Sequence, residues 1–264
     1  MSELLEALIL GIVQGLTEFL PVSSSGHLEI FKVLLSDDSL AEQSLFTTVL
    51  LHFATALSTM VIFRKEIADI FKGLFTKEFN EEKKFSLFII LSMIPAAITG
   101  IFWDDLIESL FTRNLLLVGL MLLVTAILLF LADRDYGEHK KLSYGSALGI
   151  GLAQAVAILP GISRSGATIS TALIFGLKRE EAARFSFLMV IPLIFGKIAN
   201  DLLNGSFLEN MPSLSYAVIG FLAAFLAGLV ACKWMIALVK KSGLKYFGIY
   251  CVILAICILI YQFK

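Results

Sequence analysis

The sequence is short of charge, of proline and of cysteine. Of its 264 residues, 16% are Asp, Glu, Lys or Arg, against 58% hydrophobic, with five prolines and three cysteines. A soluble domain carries roughly a quarter charged residues, so an ordinary soluble fold is excluded. Cys232, Cys251 and Cys257 lie in apolar segments without metal-ligand spacing. That argues against a thiolate metal site or a disulfide framework and leaves buried small hydrophobes. The opening Met-Ser-Glu-Leu-Leu-Glu places acidic residues where a secretory signal is basic, so no cleavable leader is expected. No nucleic-acid partner is expected either.

What the sequence has is length of apolar run. Segments 85–103, 114–132, 211–232 and 246–263 contain no Asp, Glu, Lys or Arg. A helix needs about 20 apolar residues to cross the hydrocarbon core. Segment 45–63 also qualifies, with His52 as its one ionisable side chain, and 185–200 is a sixth span interrupted by Lys197. The expectation is an all-α polytopic membrane protein.

The basic residues give the threading. They concentrate in 64–84, 133–144, 178–184 and 240–245, whereas 36–44 and 201–213 have none. Lys and Arg are enriched in cytoplasmic loops, so the first four segments read as inside. Spans 85–103 and 114–132 connect the first two. The apolar stretch 142–177 then leaves and returns on the same side. Its 36 residues would give two spans of 18, about 27 Å each, which barely suffices. Gly145, Gly149, Gly151, Pro160, Gly161 and Gly166 interrupt it further. A re-entrant helix–loop–helix is the better reading, with irregular backbone tolerated only where protein or water satisfies it. The same argument makes residues 3–35 a second hairpin, entering from outside, with both termini outside.

The hairpins are copies. Gly11, Gln14, Ser23, Ser25 and Gly26 reappear 140 residues on as Gly151, Gln154, Ser163, Ser165 and Gly166. The expected architecture is an inverted-topology repeat, each half one re-entrant hairpin plus three transmembrane helices. The first repeat is 1–132, with hairpin 3–35 and spans near 45–63, 85–103 and 114–132. Residues 133–144 form a cytoplasmic linker. The second repeat is 145–264, with hairpin 145–177 and spans near 185–203, 213–239 and 246–263.

The chemistry-bearing residues cluster at the two hairpin tips. Gln14 and Glu18 are four apart and share a helical face, and an intramembrane carboxylate is a functional hypothesis by default. Glu18 precedes Pro21, then Ser23, Ser24, Ser25, Gly26 and His27; at least one of the serines is expected to cap the helix that restarts there. The second tip reads Pro160-Gly161-Ile-Ser163-Arg164-Ser165-Gly166-Ala-Thr168. Hydroxyls, a fixed positive charge and a helix start are what an anion site needs. A salt bridge from Arg164 to Glu18 is compatible with this. His52 lacks polar neighbours in sequence and reads as helix packing, and His139 as part of a charged inner loop. The cluster 178–184 is expected to meet anionic lipid head groups.

Taken together, Gln14-x-x-x-Glu18, Pro21-Val-Ser23-Ser24-Ser25-Gly26-His27 and Pro160-Gly161-Ile-Ser163-Arg164-Ser165-x-x-Thr168 resemble the motifs of the bacterial undecaprenyl-diphosphate phosphatases of the bacitracin-resistance type. The resemblance extends over the whole chain. It implies hydrolysis of undecaprenyl diphosphate to undecaprenyl phosphate and inorganic phosphate, recycling the lipid carrier of peptidoglycan synthesis. The place implied is the bacterial plasma membrane, with the site facing the periplasm. It implies a divalent cation, magnesium or calcium, held by Glu18 and Gln14. Glu18, His27, Ser24 and Arg164 are the catalytic candidates, His27 as general acid/base and Ser24 as the preferred nucleophile over water. Ser23, Ser25, Ser163, Arg164, Ser165, Gly166 and Thr168 are the substrate-binding candidates. The expected partners are a polyprenyl diphosphate lipid and the membrane, and a homodimer is left open. The rival reading is a lipid-phosphate flippase using the same inverted-repeat site.

Overall fold

The computed structural model describes residues 2–35, 40–110, 114–134, 140–203, 212–241 and 243–262, and these form twelve α-helices and no strand. The first tip joins α1 (Glu3–Thr17) to α2 (Ser24–Leu35). Then come α3 (Leu40–Ile62), α4 (Arg64–Leu74), α5 (Glu81–Phe102), α6 (Asp104–Leu110) and α7 (Leu115–Ala132). The second tip joins α8 (Tyr144–Val156) to α9 (Arg164–Ile174), followed by α10 (Arg179–Leu203), α11 (Leu214–Lys241) and α12 (Lys245–Gln262).

Five of these helices, α5, α7, α10, α11 and α12, are long and apolar enough to cross a membrane, and α3 with α4 makes a sixth candidate. Their bounds follow the apolar runs closely. The pair α3–α4 is bent by 78° at Phe63. Segment 64–84 is therefore more than a charged loop: α4 carries Arg64, Lys65 and Lys72, with Phe71 exposed among them. Between α5 and α7 lies the short helix α6. His139, residues 36–39 and residues 204–211 lie outside the described residues, and α3 already begins at Leu40.

The hairpin helices are short, at 15, 12, 13 and 11 residues for α1, α2, α8 and α9. At 1.5 Å per residue none exceeds about 23 Å, well under a hydrocarbon core of about 30 Å. Side chains fix where they begin. Ser2 caps α1, and Ser143 and Ser146 form a reciprocal capping box on α8. Pro21 and Pro160 stand in the breaks, where neither can extend the preceding helix. In the second break Gly161 adopts a φ of +97°, which favours glycine.

The hairpins are seated by close backbone approach. A Cβ on Gly11 would lie 2.5 Å from the Gly220 carbonyl oxygen, and one on Gly15 2.6 Å from that of Ala224, so α1 rests directly on α11. Within lipid, small residues allow this approach and dispersion then holds it. In the same way α8 lies against α5, where a Cβ on Gly151 would meet the Ser92 carbonyl oxygen at 2.4 Å. The centre is α7, whose Val118, Leu122, Ala126 and Leu129 are fully buried along one face. Outward, Ile90, Ile94, Ile98 and Ile101 on α5 and Ile249, Ile253, Ile256 and Ile260 on α12 are exposed. Such stripes would be a liability in water and suit acyl chains.

Candidate active site

The two tips meet each other and α7. Thr125 on α7 donates from Oγ1 to the Gly161 carbonyl (3.0 Å) and accepts from the Ser163 amide (3.0 Å), holding the second break open in one shape. Ser165 donates to the Leu20 carbonyl of the other tip at 3.2 Å. Both restarting helices use the same device. The Ser23 hydroxyl accepts from the Gly26 amide (3.1 Å) and the Ser163 hydroxyl from the Gly166 amide (3.0 Å). Ser23 is the capping serine of the first tip. Its φ of 71° is left-handed, uncommon for a residue with a Cβ and typical of functional turns.

At this junction lies a cavity of about 220 Å³. Its polar lining is Glu18, Ser24, Ser25, Glu29 and Lys32 from the first tip and α2, Thr48 and His52 from α3, and Ser163 and Arg164 from the second tip. Its apolar lining is Leu28, Ala157, Ile158, Ile162, Val190, Leu193 and Ile194. A cavity with both ionic and apolar lining suits an amphiphile.

Glu18 is the hub. Its Oε1 pairs with the Arg164 guanidinium, and Arg164 also donates from its other terminal nitrogen to the Ser186 carbonyl on α10 (3.4 Å). The second carboxylate oxygen, Oε2, accepts from Ser24 Oγ at 2.7 Å and from Gln14 Nε2 at 3.0 Å, and His52 Nε2 stands 3.6 Å away. Sequence reading set His52 aside because its neighbours along α3 are apolar, yet folding brings it to a carboxylate 34 residues away. Its Nδ1 lies 2.7 Å from the Thr48 carbonyl, which can only accept, so Nδ1 carries the proton. Its Nε2 faces Glu18 and the cavity.

His27 is placed differently. Its Nδ1 donates to the Ser23 carbonyl (2.7 Å), and its Nε2 accepts from the Tyr250 hydroxyl on α12 (2.7 Å), the two rings stacked 5.7 Å apart. Both nitrogens are engaged away from the cavity. The structure thus brings Glu18, Ser24, Ser25, Ser163 and Arg164 to one cavity and leaves His27 outside its lining. Thr168 is also set apart. Its hydroxyl bonds the Arg164 carbonyl (2.8 Å) and Ser186 Oγ (2.6 Å), tying α9 to α10. Ser23, Ser165 and Gly166 shape the tips without lining the cavity. Glu29 and Lys32, missed in the sequence, line it and pair at 2.8 Å, although almost wholly buried. Ionisable residues three apart inside an apolar hairpin were the available signal.

A divalent cation can be tested against this geometry. Among the described residues no group of three His, Cys, Asp or Glu side chains is assembled for a metal. Gln14 turns its Nε2 toward the Glu18 carboxylate, and its Oε1 is buried without a hydrogen-bond partner. A carboxylate and an amide oxygen are hard ligands of the type magnesium accepts, one or two from protein with the rest of its shell from phosphate and water.

A model of the family described as Bacitracin resistance protein BacA matches residues 7–257. The chain belongs to this family. It is 57% identical over 261 residues to an undecaprenyl-diphosphatase of Christiangramia forsetii, covering 99% of both chains. It is 49% identical to one from Bacteroides thetaiotaomicron (98% of each chain) and 40% identical to one from Korarchaeum cryptofilum (97% of this chain, 98% of the other). The family match runs from α1 into α12 and so includes both hairpins and the cavity between them.

Proposed function

We propose that the protein is an integral membrane phosphatase that hydrolyses undecaprenyl diphosphate to undecaprenyl phosphate and inorganic phosphate. The observation that carries this reading is the Ser24–Glu18–Arg164 constellation at the junction of two helix breaks, in a cavity that also has apolar lining. The relatives' activity agrees with it.

In this mechanism the diphosphate meets the polar lining and the prenyl chain follows the apolar lining into lipid. Ser24 Oγ attacks the terminal phosphorus while its proton passes to Glu18 Oε2, the acceptor it already bonds. The bond from that phosphorus to the bridging oxygen breaks, and undecaprenyl phosphate leaves as an anion that needs no proton. Water then attacks the phosphoserine phosphorus, giving its proton to His52 Nε2, as the bond from phosphorus to Ser24 Oγ breaks and Glu18 returns its proton to that oxygen, freeing inorganic phosphate. Arg164 and the Ser163 hydroxyl stabilise charge on the phosphoryl oxygens. Glu18 and Gln14 would hold the divalent cation, which when bound offsets diphosphate charge. The His27–Tyr250 pair secures the first tip against α12.

The architecture belongs to the same proposal. Residues 1–132 and 145–264 are read as inverted repeats whose hairpins are re-entrant. The matched caps at Ser23 and Ser163, and the reciprocal seating of α1 on α11 and α8 on α5, support this. With the basic loops inside, the cavity opens outward from the plasma membrane, where lipid-carrier recycling would protect against bacitracin.

The test is phosphate release from undecaprenyl diphosphate by purified protein, with and without chelator. Turnover that chelation suppresses and that Ser24→Ala abolishes is expected. A wild-type protein that moves the lipid between leaflets without releasing phosphate would establish the flippase instead.

A further inference from the structure

Among the described residues, Glu18–Arg164 and Glu29–Lys32 are ion pairs that line the cavity, and of these only Glu18–Arg164 takes part in the chemistry above. The other, Glu29–Lys32, lies on the same face of α2 as Ser24 and Ser25. Lys32 is eight residues beyond Ser24, about 12 Å along the helix axis. That is too far for its backbone to share one phosphoryl group with Ser24, yet a lysine chain reaches back several ångströms along the wall. Glu29 is 1% exposed and Lys32 8%. Burying an ion pair within a membrane protein carries a desolvation cost that packing alone does not require. Both residues also line the cavity, together with Thr48.

We infer that Lys32 is a second anion subsite, which takes a phosphate oxyanion on its way to or from the Ser24–Arg164 site, and that Glu29 sets its strength. An unopposed buried lysine would hold phosphate tightly and stall turnover. A route must bind well enough to admit an ion and weakly enough to release it. The carboxylate 2.8 Å from Lys32 Nζ supplies that weakening. Two sources of the oxyanion fit, the phosphate attached to the lipid and the inorganic phosphate released. This inference rests on the phosphatase reading.

The test uses full-length protein in detergent with undecaprenyl diphosphate, measuring KM, kcat and inhibition by added inorganic phosphate. Lys32→Met is expected to raise KM, the phosphate inhibition constant, or both by about tenfold, the loss falling on KM more than on kcat. Glu29→Gln is expected to shift the same constant the opposite way, and Lys32→Arg to restore it. A change confined to phosphate inhibition identifies the free ion, and one confined to KM the lipid-linked phosphate. Failure of the wild type to release phosphate would remove the underlying phosphatase reading. Normal turnover with KM and phosphate inhibition unmoved in both Lys32→Met and Glu29→Gln would overturn the subsite alone. Thermal unfolding of each variant separates these outcomes from a loss of folding, and Lys32→Arg provides a folded control.

Discussion

Arg164 lends itself to a decisive perturbation, because its charge and its shape can be removed separately. One guanidinium nitrogen pairs with Glu18 and the other with the Ser186 carbonyl, so the group is held flat across the cavity wall. Arg164→Leu leaves the Glu18 carboxylate, 7% exposed, without its cation. Breaking one side of a buried pair costs about 3–5 kcal/mol, or a fall in unfolding temperature on the order of 10 °C. Adding Glu18→Gln removes the stranded charge and is expected to recover most of that stability but none of the activity. Arg164→Lys keeps the charge and loses the planar fork. The loss of one charge-assisted hydrogen bond, about 1.5–3 kcal/mol, corresponds to a fall of roughly 10- to 150-fold in kcat/KM. The assays are phosphate release and thermal unfolding in the same detergent. Near wild-type kcat/KM in Arg164→Lys would refute the clamp. A double variant no more stable than Arg164→Leu would refute the electrostatic account of the pair.

Two histidines give opposed expectations: His52→Gln should lower turnover about 100-fold, the lower range for a general base, whereas His27→Gln should chiefly lower thermal stability. The assignment of His52 fails if the two activity losses are reversed. Gly15→Leu should prevent α1 from seating, since even a Cβ there would stand 2.6 Å from the Ala224 carbonyl oxygen; recovery of monodisperse, active protein would contradict the close approach. For topology, in a background with the exposed Cys257 replaced by Ser, a cysteine at Ser213 should react with an impermeant reagent added to intact cells, and one at Lys77 should not. Reaction at Lys77 would overturn the threading.

The spans were legible because an apolar run in lipid has little alternative to a helix, and the two helix breaks because Pro21, Pro160 and Gly161 forbid continuation. Glu18 and Arg164 were legible as costly charges at breaks. His52 was not, since its chemistry comes from an element distant in sequence, and a side chain with apolar neighbours along α3 gives no local sign of facing a carboxylate. Motif resemblance drew attention to His27 and Thr168 by position, but whether a hydroxyl or imidazole faces a cavity depends on which rotation its helix takes. Glu29 and Lys32 were overlooked because they lie just beyond the motif, although α2 continues the same face. The bend at Phe63 was equally hidden: α4 mixes Arg64, Lys65 and Lys72 with Ile67, Ile70 and Phe71 in a segment conspicuous only for its charge.

The seating of α1 on α11 bears on how the protein is made. Gly11 finds its resting place only against Gly220, so during synthesis the first hairpin emerges long before its seat exists. At 5–20 residues per second that interval is about 10–40 s. Until then α1, with the buried Glu6 and Gln14, needs a temporary host, either water at the membrane surface or the insertion machinery. Either half expressed alone would lack the other's helix in its groove. The last helices to be synthesised therefore decide whether the first ones stay in the membrane, and the site closes only when the chain is nearly complete.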